Sequence, residues 1–125
     1  MNKRTVGAYY ESCAAELLRR KGYAILARNY RCRTGEIDLI ARDYGSDASC
    51  PVLVFVEVKY RKHRGSGYPE EAVSYPKQKV ICRTSDFFRM EKRIGDNVPI
   101  RFDVIAFDGN DVRHITDAFP YTGYC

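Results

Sequence analysis

The segment Val54-Phe55-Val56-Glu57-Val58-Lys59 sets a carboxylate and an ammonium two residues apart at the end of an otherwise apolar, strand-like run. Charges in such a setting need a partner or a metal. Upstream, Gly35-Glu36-Ile37-Asp38-Leu39-Ile40-Ala41 repeats the anomaly: Asp38, a residue type depleted in sheets and rarely buried unpaired, stands among isoleucine and leucine. As neighbours in one sheet the two acids would lie roughly 5 Å apart. That spacing is repulsive for two bare carboxylates and suits a divalent cation between them. The simplest reading is a Mg2+ site, with Mn2+ as a substitute.

Such a site can cleave phosphodiesters. Asp38 and Glu57 would hold the cation, the backbone carbonyl of Val58 would add a ligand, and water would fill the remaining octahedral positions. Lys59 shares the strand face of Glu57 and can orient an attacking water or stabilise the phosphorane as charge accumulates. The alternative is an intrastrand Glu57–Lys59 pair, with Asp38 saturated by backbone donors. Glu16 lies one residue off the apolar stripe of the first helix, so it either leans over the sheet as an extra metal or water contact or stays solvated. Glu36 is a reserve ligand. Asp103, in Arg101-Phe102-Asp103-Val104-Ile105, reads as a structural pair with Arg101 or Asn97 as readily as a catalytic acid. On the second helix, Gln78 can hydrogen-bond a phosphate or the attacking water, and Lys77 and Lys79 can contact backbone phosphates. Arg61, Lys62, His63 and Arg64 can position a duplex through phosphates without selecting bases. Tyr60, Tyr68 and Tyr75 serve either as stacking surfaces for bases or as the edge of a core.

The elements that must hold these residues follow from patterning. Apolar positions Tyr10, Cys13, Ala14, Leu17 and Leu18 predict a helix from about Val6 to Lys21, closed by Gly22, with basic residues in its last turn. Tyr23 to Tyr30 predicts a strand, and Arg31-Cys32-Arg33-Thr34-Gly35 a turn into the strand of Asp38. Residues 43–51 read as a polar loop. Val52 to Tyr60 is a strand apolar on both faces, hence central and covered on both sides, with its charges at the end where open α/β sheets place ligands. Residues 61–67 read as a mobile substrate loop. A helix beginning at Pro69 or Pro76 would turn Val80, Ile81, Thr84, Phe87 and Phe88 to the sheet and end near Gly95. Ile100 to Phe107, the turn Asp108-Gly109-Asn110-Asp111 and Val112 to Ile115 complete the sheet, whose order the pattern does not give.

A chain of 125 residues predicts one α/β domain in which site and substrate surface share one fold. Its 21 Lys plus Arg against 16 acids give a charge of +5, which points to a polyanionic partner or to an ordinary solvated surface. Five cysteines without C-x-x-C pairing read as reduced thiols, with Cys13 and Cys82 as core fillers. There is no apolar leader and no run of eighteen apolar residues, so a cytoplasmic protein without a membrane span is expected. His63 and His114 give no zinc spacing or triad, and no phosphate- or dinucleotide-binding glycine loop occurs.

Gly35 to Ala41, followed by Phe55-Val56-Glu57-Val58-Lys59-Tyr60-Arg61, resembles the PD-(D/E)XK nuclease superfamily and, more closely, the bacterial YraN-like family, UPF0102. The likeness spans nearly the whole chain, with Ile37 where the superfamily's name has proline. It implies a restriction-endonuclease-like core, a central mixed β-sheet flanked by α-helices. It also implies that Asp38 and Glu57 are the metal-binding acids and Lys59 the catalytic lysine. Glu16 would be the first-helix glutamate of archaeal Holliday junction resolvases, and Gln78 falls where some branches place a helical glutamine. The expected activity is Mg2+-dependent hydrolysis of branched or damaged DNA in repair or recombination, in a homodimer. Alternatives are a nucleic-acid-binding accessory protein without turnover and an RNA-directed nuclease.

Overall fold

Asn2 starts the first helix, α1 (Lys3–Arg20), by accepting the Thr5 amide at 2.8 Å with its side-chain oxygen. The helix therefore begins three residues before Val6, and it stops at Lys21 and Gly22, whose φ of 91° suits glycine. The computed structural model describes residues 2–45, 49–61 and 73–123. After α1 come β1 (Ala24–Cys32), β2 (Gly35–Asp43), β3 (Val52–Arg61), α2 (Tyr75–Glu91), β4 (Ile100–Asp108) and β5 (Asp111–Ile115).

The five strands form one sheet in chain order, β1-β2-β3-β4-β5. Consecutive pairs are antiparallel except β3 with β4, which run parallel because α2 carries the chain back between them. This is an α/β fold with a central mixed sheet flanked by helices. The β1–β2 hairpin is the expected one, and β3 is central and apolar on both faces as its residues predict. Val54, Val56 and Val58, with Leu39, Ala41 and Ile105, pack beneath Ala14, Ala15 and Leu18 of α1. Leu53, Phe55, Phe102, Val104, Ile37 and Ile40 pack beneath Ile81, Cys82 and Phe88 of α2.

Ser74 caps α2 by accepting the Lys77 amide, and Pro76 sits in the first turn, as expected; the alternative start at Pro69 lies outside the described residues. The helix ends at Glu91 rather than near Gly95. Ile81, Thr84 and Phe88 turn inward together with Cys82 and Ser85, whereas Val80 and Phe87 flank the buried stripe, Phe87 beneath the Arg33 guanidinium at 5.3 Å. Gly35 sets how closely the hairpin tip meets α2, because a Cβ there would lie 2.5 Å from Val80 Cγ1. No helix among the described residues is long and apolar enough to cross a membrane. Cys13, Cys32, Cys50 and Cys82 are free thiols.

Asp103 is fully buried on β4 and has no share in the acid pair of β2 and β3. Arg101 grips it through Nε–Oδ1 at 2.8 Å and Nη2–Oδ2 at 2.9 Å, the Asp117 amide donates at 3.0 Å, and His114 Nε2 lies 2.8 Å from Oδ2. Lys21 Nζ donates to His114 Nδ1 at 2.8 Å, which leaves the ring proton on Nε2, toward Asp103. Arg101 also reaches Asp43 and the Tyr23 hydroxyl, so this network ties the end of α1 to three strands; Asn97 is not part of it. Burial alone would raise the Asp103 carboxyl, but the His114 and Arg101 bonds outweigh it and hold the carboxyl below its ordinary range. A depressed folded value stabilises the protein above about pH 4, and that stabilisation is lost as pH falls through the folded value. Asp103→Ala should therefore cost on the order of 3 kcal/mol in urea denaturation at pH 7 and blunt the loss of stability in acid. An equal loss at pH 7 and pH 3 would exclude this account.

Candidate functional site

The β2–β3 ladder ends at the pair Leu39–Val56. Asp38 and Glu57, the next residues, face each other where the strands part. Two features open the sheet at this point. The β1–β2 ladder pairs Arg28 with Leu39 and Tyr30 with Ile37 but skips Asn29 and Asp38, and Asn29 adopts a left-handed φ of 51°, which asparagine tolerates better than most residues. Ile37 and Ile40, three residues apart, both join the α2-side core, so the alternation of β2 slips at Asp38. The freed carboxylate accepts the Val58 amide at 2.8 Å. Backbone N–H and C=O of one strand residue point to the same edge, so the Val58 carbonyl also opens toward β2.

The two acids share too few donors for two negative charges. Burial, a hydrogen bond to Glu57 and the Glu57 charge push the Asp38 carboxyl up to about 8, against the pull of the Val58 amide. Glu57 is buried, and its Oε2 has no hydrogen-bond partner among the described residues. Lys77 Nζ stands 3.6 Å from that oxygen, an ion contact too long for a hydrogen bond. The partner of Glu57 is thus on α2 rather than two residues along its own strand. Lys59 is half-buried beyond Glu57 and enters no ion pair among the described residues.

On the first helix Glu11, rather than Glu16, interacts with Asp38. Glu16 is half exposed and paired with Arg19 and Arg20 along its own helix, which removes it from the sheet. Burial and the charge of Asp38 raise the Glu11 carboxyl, while a hydrogen bond from Asn29 lowers it. Positions 11 and 16 lie about 140° apart around a helix, and position 11 continues the stripe of Ala14, Ala15 and Leu18. The signal for Glu11 was the run of small residues Gly7, Ala8, Ala14 and Ala15, which marks the side of α1 that approaches the sheet most closely. Glu11 also borders a groove of about 740 Å3 lined by Lys3, Arg4, Gly7, Ala8, Asn29, Arg31 and Glu36. Glu36 is bridged to Arg31 across the hairpin rather than to the acids.

The remaining candidates divide. Gln78 donates from Nε2 to the Val73 carbonyl at 3.1 Å, which anchors the start of α2 and leaves its oxygen as an acceptor. Lys79 lies over the Tyr75 ring at 5.1 Å, and the Arg61 carbonyl accepts the Gly109 amide. Lys62, His63, Arg64 and Tyr68, with most of the expected substrate loop, lie outside the described residues.

Among the described residues no set of three or more His, Cys, Asp or Glu side chains converges as a metal centre. The donors present nevertheless fit a magnesium-like cation, which usually takes only one or two carboxylates and keeps water on its other positions. The orphaned Glu57 oxygen and the raised Asp38 carboxyl mark where positive charge is lacking.

Residues 10–107 match the family described as "Uncharacterised protein family UPF0102". Full-length relatives agree. A UPF0102 protein of Lachnoclostridium phytofermentans is 45% identical over 98% of this chain and 99% of its own. One of Persephonella marina is 41% identical over 87% and 88%, and one of Legionella pneumophila strain Philadelphia 1 is 39% identical over 90% and 92%. The chain belongs to the UPF0102 family.

A folded carboxyl value raised above that of the unfolded chain makes stability fall as pH climbs from about 4 to about 8, because the folded state holds the proton longer. Asp38→Asn keeps an acceptor for Val58 and removes the charge. In thermal melts with EDTA it should gain stability over the parent progressively between pH 5 and pH 8. A pH-independent difference would contradict the assigned repulsion.

Proposed function

We propose that this protein is a divalent-cation-dependent endonuclease of restriction-endonuclease-like architecture, hydrolysing phosphodiester bonds in branched or damaged DNA. The observation carrying this reading is the facing pair Asp38 and Glu57 at diverging strand ends, with Lys59 next along β3 and the N-terminal halves of both helices alongside. Asp38, Glu57 and the Val58 carbonyl would hold Mg2+, which when bound neutralises phosphate charge and acidifies water.

The chain's own groups do the rest. Glu11, raised by burial and by Asp38, would accept a proton from water or orient it. Lys59, on the strand face of Glu57, would stabilise charge on the phosphorane oxygens. Neither helix has an acid in its first turn; α1 begins with Lys3 and Arg4, and α2 has Lys77 and Lys79 near its start. This departs from the usual preference for acids at helix N-termini and concentrates positive potential around the acids. The groove beside Glu11, flanked by Lys3, Arg4 and Arg31, gives a phosphate backbone a path to the pair. Arg61, Lys77 and Lys79 add phosphate contacts on the other side, with Lys62 and Arg64 proposed from sequence.

One observation favours a second reading, a nucleic-acid-binding protein without turnover: Lys77 already stands against Glu57. Cleavage decides between them. Labelled four-way, flapped, duplex and single-stranded DNA, with matched RNA, is incubated with Mg2+ or Mn2+. We expect cleavage of branched DNA that Asp38→Asn, Glu57→Gln, Glu11→Gln and Lys59→Met each reduce at least about 100-fold, with Glu16→Gln close to the parent. Salt-sensitive binding with no cleavage under either metal would instead establish the second reading, and cleavage confined to RNA would replace the substrate.

A further inference from the structure

Beside the acid pair, three tyrosines form a ladder that the catalytic reading does not use. Tyr10 stacks on Tyr60 with centroids 4.6 Å apart and planes at 14°, and Tyr9 meets Tyr10 edge-on at 5.2 Å. Phe107 supports Tyr10 from the sheet at 5.0 Å. Tyr9 is 61% exposed and Tyr60 36% exposed, large values for rings that have an apolar core at hand. The Tyr60 hydroxyl approaches Gly7, 3.9 Å from where a Cβ would sit, so the ring lies along the edge of the groove beside Glu11. In sequence, Tyr60 follows Lys59 and Tyr10 precedes Glu11.

We propose that the Tyr60–Tyr10–Tyr9 ladder is a stacking platform for an unpaired nucleobase adjoining the phosphate held at Asp38 and Glu57. This inference rests on the nuclease reading of that site and narrows its substrate to nucleic acid with an unstacked base beside the cut. Three features point to a base rather than to another protein. The outer face of Tyr60 meets no further ring among the described residues, so a flat π-surface can extend the stack in the geometry Tyr10 and Tyr60 already adopt. The platform borders the groove that holds Glu11, because the Tyr60 hydroxyl lies near Gly7, which lines that groove. Its neighbours Lys3 and Arg4 are cationic, suiting the phosphates that accompany a base. Bases inside an intact duplex offer no free face, whereas those at flaps, junction arms and single strands do.

The test uses the whole chain in EDTA, so that binding is read without turnover. The probes are a fluorescent 15-nucleotide oligothymidylate and its fully abasic counterpart of equal charge, followed by anisotropy. We expect the parent to prefer the base-bearing strand by roughly fivefold to a hundredfold. Tyr60→Ala should remove that preference while leaving abasic affinity unchanged, Tyr9→Ala should reduce it, and Tyr60→Phe should keep it; circular dichroism checks that each variant is folded. Equal binding of both probes by the parent, or a preference that survives Tyr60→Ala, overturns the platform and leaves the nuclease reading standing. Binding of neither probe or of any branched DNA overturns both. A concentration-dependent dimer that Tyr60→Ala dissociates, without base preference, assigns the ladder to a second copy of the chain and overturns the proposal.

Discussion

Two carboxylates placed opposite one another at the mouth of β2 and β3 are the constraint around which the rest of the structure is arranged. At that separation both cannot remain ionised without donors or counter-charge. Among the described residues they meet the Val58 amide, a proton retained on Asp38 and the Lys77 ammonium, which stands beyond hydrogen-bond reach. Keeping Asp38 free of its own ladder also requires a slip in β2 and a left-handed Asn29 in β1. A non-glycine residue at positive φ costs of order 1 kcal/mol or more. Such a cost persists where the surroundings over-determine the conformation, and Asn29 is fixed both by the hairpin and by its bond to Glu11.

The sheet and helices make that local expense tolerable. β3 is buried on both faces, so its backbone direction, and with it the position of Glu57, is fixed by packing from two independent cores. α1 crosses one face with Ala14, Ala15 and Leu18 as its contact, and alanines allow a close approach that a larger side chain would prevent. The same stripe, continued one turn toward the N-terminus, delivers Glu11 to the acids. α2 crosses the other face and brings Lys77 from its first turn. α2 thus meets the sheet near the acids with its electropositive end, and neither helix carries an acid in its first turn.

What could be read from the residues divides along physical lines. Strand β3, the hairpin and α2 with Pro76 in its first turn follow from periodicity and turn chemistry, which are local, whereas the facing of Asp38 with Glu57 holds only because β2 and β3 pair. The strand order was not legible, because pairing of β3 with β4 depends on the crossover rather than on either strand alone. In the sequence the residues Tyr10, Cys13, Ala14, Leu17 and Leu18 set the apparent apolar stripe and bring Glu16 beside it. The structure instead buries Ala14, Ala15 and Leu18, which rotates the contact face and carries Glu16 to solvent. Hydrophobicity identifies a buried side by how much area is hidden, whereas closeness of approach is set by how little side chain intervenes. Asn29 carried no signal, since a left-handed residue inside a strand is visible only once its partner Asp38 is known to have left the ladder.

Asp38 and Asp103 look alike in sequence, each a single aspartate inside an apolar strand, yet they have opposite electrostatic fates. Asp103 receives two bonds from Arg101 and one each from His114 and the Asp117 amide, and its carboxyl is held below its usual range. Asp38 receives one amide, faces another carboxylate, and is pushed up to about 8. Burial opposes ionisation of both, so the difference lies entirely in what surrounds the oxygens. The donors to Asp103 come from β4, from β5 and from the segment beyond it, segments that close on one another only in the folded chain. A buried acid fully supplied with donors has nothing left to offer a ligand and acts as a tie between elements. An acid left short of donors, beside a second one in the same condition, retains unspent acceptor capacity, and only positive charge or a proton from outside the fold can satisfy it. That surplus is what distinguishes the β2–β3 acids from the fully supplied Asp103.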